Sequence, residues 1–179
     1  LIAFDLDFPR VNLLGGSLDI QADAIGSVIR MEAAITKGEE FPSTMQPRLF
    51  KESKVVRYVI GLDRPTFIPL LNKDRTFLIS GQIFGQHLLD HEQADGPLGR
   101  IGMPDWKDNW IGTLLVKGWY QNDRLSPQLL MAYDVRAQAG AVAPSVEWLV
   151  TDNLKLTFGA NIKAGTGAQL STRRRPAAG

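Results

Sequence analysis

The two histidines of this chain lie four positions apart, as His87 and His91, with Asp90 and Glu92 beside them. Imidazole and carboxylate groups are common ligands of zinc and other divalent metals. Residues four apart on a strand share a face but lie about 13 Å from each other, too far to hold one ion. The rings converge only if the segment turns helical. The sequence therefore favours a solvated strand-to-loop junction, and we assign no metal ligand.

A serine hydrolase would need a serine near one of these histidines and an orienting acid. Ser80 precedes His87 by an odd number of positions, which places the two side chains on opposite faces of a strand. The chain has no cysteine, which excludes thiol catalysis, disulfides and cysteine metal sites. No nucleotide fingerprint is present, and Gly165-Thr166-Gly167 is only a fragment of one. We expect no enzymatic activity, no catalytic residue and no cofactor.

The composition also argues against nucleic-acid-binding proteins and against proteins that cross a membrane with helices. The 179 residues suffice for one domain, and the net charge of +1 gives no basic field of the kind that binds nucleic acid. No apolar run approaches the roughly 18 residues of a membrane helix. A chain of this kind can span a bilayer only as a closed β-barrel, which satisfies every backbone polar group internally.

A strict period of two dominates the chain. Leu154, Leu156 and Phe158 alternate with Lys155 and Thr157, as in a strand with one apolar and one wet face. The same alternation recurs with short polar turns between the runs, which predicts an all-β fold, an antiparallel up-and-down meander. We predict strands at residues 28–36, 55–62, 76–86, 110–121, 125–136, 141–150 and 153–163, with weaker runs at 2–8 and 11–21.

The connections also follow from composition. Residues 37–53 are polar and contain Pro42 and Pro47, which indicates an extramembrane loop. The period of two fails after Asp63, and Thr66 could cap a short helical turn before Asn72. Residues 88–108 are rich in Gly, Pro and Asp and predict the longest, irregular loop.

Two fold types share this pattern, a transmembrane barrel and a soluble sheet. The predicted strands run about ten residues, near the length that a tilted strand needs to cross a bilayer. Trp110 and Tyr120 lie at opposite ends of one predicted strand, where the aromatic girdles of a membrane barrel fall. Both features favour the membrane barrel. The alternative is a soluble, lipocalin-like β-barrel binding protein, whose apolar face would point inward around a cavity.

In a membrane barrel the polar positions of each strand face the lumen. Their mixed charges indicate a wet wall or a permeation path without strong ion selectivity. The candidate lumen-facing residues are Arg30, Glu32, Arg57, Gln82, Gln86, Lys117, Asp134, Arg136, Glu147, Lys155, Asn161 and Lys163.

Several segments resemble a proteobacterial outer-membrane family catalogued only as domain of unknown function thirteen-oh-two. The similarity covers most of the chain between Phe8 and Ile162. The segments that carry it are residues 8–10 (FPR), 15–18 (GGSL), 30–34 (RMEAA), 57–66 (RYVIGLDRPT), 75–84 (RTFLISGQIF) and 156–162 (LTFGANI).

The resemblance implies a β-barrel of the bacterial outer membrane in Gram-negative cells, to which this chain contributes a C-terminal part. It implies no established substrate and supplies no catalytic residue. We expect residues 1–164 to form an incomplete barrel segment whose sheet does not close, and residues 165–179, with Arg173, Arg174 and Arg175, to form a disordered basic tail. The expected function is porin-like passage or binding of small molecules, hydrophobic ones among them, with outer-membrane lipid as the partner.

Overall fold

The computed structural model describes residues 10–165, which form an antiparallel, all-β meander without an α-helix. Each strand of the main sheet pairs with its neighbour in the chain, with two exceptions. Phe77–Leu88 pairs with Asp108–Lys117, because a small separate hairpin lies between them, and Ile162–Gly165 pairs with Ala139–Thr151. No helix of this part of the chain is long and apolar enough to cross a membrane. The strands are β1 Asn12–Ala22, β2 Ser27–Pro42, β3 Phe50–Thr66, β4 Phe77–Leu88, β5 Gln93–Gly96, β6 Gly99–Gly102, β7 Asp108–Lys117, β8 Leu125–Asp134, β9 Ala139–Thr151, β10 Leu154–Gly159 and β11 Ile162–Gly165.

The prediction of a loop at residues 37–53 is wrong for most of this segment. Strands β2 and β3 extend through it to Pro42 and from Phe50, so the connection comprises only residues 43–49. The pairing shifts between Lys37 and Glu39, with Gly38 at a φ of 95°. This bulge absorbs one residue and interrupts the sequence period, but the ladder resumes beyond it.

The long segment at 88–108 was also predicted incorrectly, because it contains the β5–β6 hairpin. Strand β7 ends at Lys117 rather than Gln121. Gly118 is buried there, and a Cβ at this position would overlap the ring of Phe77. Beyond it, Tyr120 forms only an isolated bridge with Leu125.

The last predicted strand, residues 153–163, is divided in two. Both halves, β10 and β11, pair with β9, and the strand pairing is interrupted at residues 160–161. Strand β11 continues to Gly165, one residue past the predicted domain boundary. The remainder of the predicted basic tail and the run at residues 2–8 lie outside the described residues.

The sheet is a single layer with little core. Among the described residues, only Val55, Phe77, Leu88 and Met103 are buried hydrophobic side chains. Three of these, Val55, Leu88 and Met103, pack together with Phe41 at one end of the sheet. Apart from the contact with Met103 at that end, no second layer of residues 10–165 covers either face, so this part of the chain is not a sandwich.

The sheet is open, as predicted. Strand β1 forms one edge and β10 with β11 the other, and within residues 10–165 no hydrogen-bond ladder joins these edges. A closed barrel is therefore not formed by the described strands alone.

Candidate functional site

One face of the sheet is apolar from edge to edge. In an antiparallel ladder directly paired residues point to the same side, so the register shows which side chains share a face. One such row crosses the whole sheet. It consists of Ile20, Ile29, Leu62, Gly81, Leu114, Met131, Val142 and Ile162.

Large side chains on this apolar face are exposed even on interior strands. Ile83 has 55%, Trp110 51% and Tyr133 52% of its surface accessible. Charged residues occur only where the band ends, Arg64 at one end and Lys37, Lys54 and the His87–Asp108 pair at the other. The apolar face is therefore an uninterrupted band between two polar margins.

Aromatic side chains mark both margins of this band. Tyr58 and Trp110 lie near one margin, and Tyr120 and Trp148 lie near the other. Ten residues separate Trp110 from Tyr120, which is about 33 Å along a strand and about 25 Å across a bilayer at a tilt of about 40°. This height equals that of the apolar band of an outer-membrane barrel.

The opposite face carries the polar residues. All of the candidate lumen-facing residues except Arg136 and Asn161 lie on it by register. Arg136 lies past the end of β8, where its Nε donates to the carbonyl oxygen of Asp108, and Asn161 lies in the break between β10 and β11. Both residues follow a strand end, where the period of two no longer sets the side-chain direction.

An arginine on β3 forms the first charged cluster of the polar face. The guanidinium of Arg57 binds both carboxylate oxygens of Glu39 at 2.5 and 2.7 Å and donates to Gln86 Oε1 at 3.2 Å. A bidentate pair of this kind fixes both side chains. Glu39 was missed by the sequence analysis because the bulge at Gly38 breaks the period just before it.

A glutamate on β9 forms the second cluster. Glu147 Oε2 lies 3.3 Å from Lys117 Nζ, and its Oε1 lies 3.4 Å from Lys155 Nζ. Lys117 is on β7, two strands away, and the small Ser126 of β8 is buried between them. Side chains two strands apart meet most readily on the inner side of a curved sheet, so the contact favours the polar face as the concave one.

A third cluster lies near the β1 edge. Arg30 binds Asp63 at 2.7 Å and lies 3.9 Å from Asp19. Neither aspartate was among the sequence candidates, although the parity of their strands would have found Asp19. Each cluster thus pairs opposite charges locally.

The two histidines and their acidic neighbours form hydrogen bonds with different partners. His87 Nδ1 lies 2.5 Å from Asp108 Oδ1, and His91 Nε2 lies 2.8 Å from the carbonyl oxygen of Asp105. The Asp90 carboxylate accepts a hydrogen bond of 3.2 Å from the backbone N–H of Lys54. Ser80 and His87 fall on opposite faces of β4. Within the described residues, no group of three or more histidine or carboxylate side chains could hold a metal ion.

The second acidic neighbour, Glu92, joins two connections outside the main sheet. It accepts hydrogen bonds from Ser43 at 2.6 Å and from Gln46 at 3.0 Å, and it pairs with Lys51 at 2.7 Å. These bonds, that of Lys51 first, lower the pKa of Glu92 from 4.5 to about 2. The carboxylate therefore ties the β5–β6 segment to the connection at residues 43–49, and we call this assembly the cap.

A shallow trough of about 1200 Å³ crosses the middle of the apolar face. Gly81 and Gly112 lie at its floor because they place no side chain there, and Leu62, Leu114 and Met131 are among the side chains that line it. Its walls are almost wholly apolar, so it suits hydrocarbon rather than a charged ligand.

No family model, no curated protein and no solved structure matches this sequence.

Proposed function

We propose that this chain forms part of the wall of a transmembrane β-barrel in the bacterial outer membrane, and that the barrel passes or binds small molecules. The observation that carries the proposal is the uninterrupted apolar band, which is exposed across the whole sheet and has aromatic margins. Its partners would be outer-membrane lipid and a small permeant, with no nucleic acid and no cofactor involved.

The energetics of the band support a lipid environment. Apolar surface costs about 25 cal/mol per Å² when it stays in water. Side chains such as Ile60, Ile83 and Phe158 are each about half exposed or more, and no second layer of the described residues covers them. Lipid tails remove this cost without any further protein layer, whereas a soluble protein needs a second layer or an inward-facing cavity.

The polar face fits the interior of the same barrel. Its paired charges sit at positions that alternate with the apolar band, and a water-filled lumen tolerates charges that lipid does not. The open edges at β1 and at β10 with β11 would be closed by further strands, since unpaired backbone in hydrocarbon costs several kcal/mol per group.

The alternative function is that of a soluble, lipocalin-like binding protein, and the observation that favours it is the trough on the apolar face. That trough could hold a hydrophobic ligand if the apolar face were the inner one. We place this function second because the polar side chains of the interior strands are the more closely packed set, with Ser80, Ser126 and Thr36 buried.

The experiment that separates the two functions uses neighbouring positions on β7. The chain has no cysteine, so single-cysteine variants carry one label each. Leu114→Cys would place a fluorophore on the apolar face, and Thr113→Cys on the polar face. Each labelled variant, made in the natural protein and extracted from outer-membrane fractions with detergent, would be reconstituted in vesicles that contain nitroxide-labelled lipid.

We expect the lipid nitroxide to quench the label at position 114 strongly and the label at position 113 weakly. A water-soluble quencher should show the reverse order. If lipid quenches neither label, and the protein is recovered in the soluble fraction, the membrane function is wrong and the binder is favoured.

A further inference from the structure

The polar face is covered by protein at one end of the sheet. Val55 and Leu88 are directly paired there, and they share a face with Arg57 and Gln86, each two residues away on the same strand. Neither Val55 nor Leu88 has any accessible surface, because Met103 packs against them. The cap, to which Met103 belongs, therefore lies on the polar face.

The apolar face is open at the same end. Ile35 and Lys54 precede Thr36 and Val55 by one position, so they point to the other side, and both are exposed. Thr36 is directly paired with Val55 and keeps only 4% of its surface accessible. The burial thus follows the face, which means that the cap has folded to one side of the sheet.

Two adjacent valines explain why the cap lies on this side. Successive residues of a strand point to opposite faces, so one of Val55 and Val56 must lie on the polar face. Leu88 adds a second apolar side chain beside Val55. Apolar surface is unfavourable in water, and Met103 and Phe41 remove this surface from it. Apolar contact therefore holds the cap against the polar face.

Hydrogen bonds within the cap fix the position of Met103. The backbone N–H of Thr44 donates to the carbonyl oxygen of Gly102 at 3.1 Å, and the N–H of Gly102 donates to Thr44 Oγ1 at 2.8 Å. The N–H of Met103 donates to the carbonyl oxygen of Glu92 at 2.9 Å. These bonds, together with those of the Glu92 side chain, make the cap a built structure.

The cap lies where a barrel would have its outer mouth. The connection at residues 89–107 is the longest one between strands of the described residues, and in outer-membrane barrels the longer loops are extracellular. Both of its ends are tied to the sheet, because Leu89 donates to the carbonyl oxygen of Lys54 at 2.9 Å and Lys107 accepts from Leu88 at 2.8 Å. Arg57, one row further in, is exposed, so the coverage ends close to the margin.

We propose that the cap narrows the outer mouth of the barrel from the lumen side and sets the size limit of the permeant. This inference rests on the proposed function, because it requires the polar face to line the lumen. A segment held against the wall reduces the cross-section at that level, and pore diameter is one determinant of selectivity. Met103 is the positioning residue, since its contact with Val55 and Leu88 holds the cap in place.

Liposome swelling with neutral sugars of increasing size tests the proposal. The natural protein would be reconstituted in vesicles, and the rates for arabinose, sucrose and raffinose would be compared. Met103→Glu places a charge against Val55 and Leu88 and should release the cap. The rate for raffinose relative to arabinose should then rise by at least about threefold, because the mouth is wider.

Met45→Glu is the matched control. Met45 also belongs to the cap, but 46% of its surface is accessible. The substitution adds the same charge without breaking the contact with the sheet, so the ratio of the two rates should stay that of the wild type. Heat-modifiable mobility on gels would verify that each variant folds.

A single thiol measures the release of the cap independently. The chain has no cysteine, so Val55→Cys supplies one thiol beneath Met103. A water-soluble maleimide should modify this thiol slowly, and at least about tenfold faster when Met103→Glu is added, because protection is lost when the cap opens. Met103→Ala, which removes contact without adding charge, is a milder second variant and should change both readouts in the same direction.

The outcomes distinguish this inference from the proposed function. If no sugar enters the vesicles and no conductance appears, the channel function itself is wrong. If arabinose enters and the thiol is exposed in the Met103 variants, but the raffinose ratio stays that of the wild type, the channel stands and the size limit is set elsewhere.

Two results with the thiol would also overturn the inference. Rapid modification while Met103 is in place would show that the cap does not cover the polar face. A thiol that stays protected in both Met103 variants would show that Met103 does not hold the cap.

Discussion

Lys117 and Glu147 meet across an intervening strand. Their Nζ and Oε2 atoms lie 3.3 Å apart although β8 runs between β7 and β9. Glu147 also binds Lys155 on β10, so one carboxylate is shared by two ammonium groups on different strands. This arrangement requires the polar side chains to converge, and it places a net positive cluster at one end of the polar face.

Glu147→Gln should change ion selectivity more than stability. The variant leaves Lys117 and Lys155 without their shared counter-charge, so a barrel lined by this face should become more permeable to anions. Partly exposed ion pairs contribute at most about 1 kcal/mol, so the free energy of unfolding should change by no more than that. Reversal potentials across a salt gradient in planar bilayers measure the selectivity. Glu52→Gln, outside the apolar band, is the control, and an unchanged reversal potential in Glu147→Gln would show that Glu147 does not line an ion path.

Arginine on β7 should be tolerated on one face and not on the other. Leu114→Arg places a charge in the middle of the apolar band, which in lipid should lower the free energy of unfolding by about 2–4 kcal/mol. Thr113→Arg, one residue earlier, points to the polar face and should cost much less. Urea unfolding in lipid vesicles, followed by tryptophan fluorescence, measures both. Equal and small effects, within about 0.5 kcal/mol, would indicate that both faces are in water.

Gly85 should not tolerate a side chain, because the ring of Tyr58 occupies the space above it. A Cβ at Gly85 would overlap the Tyr58 ring, whereas nothing lies within 4 Å of a Cβ at Gly112. Gly85→Ala should therefore destabilise the sheet by about 1–3 kcal/mol, and Gly112→Ala should be close to neutral. Combining Gly85→Ala with Tyr58→Ala should remove the overlap. The free energy of unfolding in urea would be measured for both single variants and for the double variant. If the loss in the double variant equals the sum of the losses in Gly85→Ala and Tyr58→Ala, the overlap is not the cause.

The cap should loosen in acid. The pKa of Glu92 is lowered from 4.5 to about 2 in the folded protein, mainly by its bond with Lys51. A lowered pKa means that the carboxylate stabilises the cap fully above pH 4.5 and that this contribution is lost as the pH falls through about 2. The buried methyl group of Met103 reports on the cap in NMR spectra.

In the wild-type protein the Met103 resonance should move only at strongly acidic pH, with a midpoint near that of Glu92. Glu92→Gln should shift it already at neutral pH, and Glu40→Gln, which lies outside these contacts, should leave it unchanged. A midpoint near the ordinary value of a glutamate would contradict the role of Lys51.

The sequence by itself determined the two faces of the sheet. Strand character and face depend on the residue types at alternating positions, and both are local properties of the backbone. The alternation of Leu156 and Phe158 with Lys155 and Thr157 therefore predicted the correct faces before any neighbour was known. The same parity placed Arg57, Lys117 and Glu147 on one side.

Only the tertiary structure decided which side chains meet and where the sheet ends. The bulge at Gly38 carries β2 past the point where its period breaks, and only then does Glu39 reach Arg57. The contact of Lys117 with Glu147 depends on the register of two successive ladders and on the small size of Ser126 between them. Hydrogen-bond register, bulges and edges arise between strands that are distant in the chain, and a period read along one strand carries no information about them.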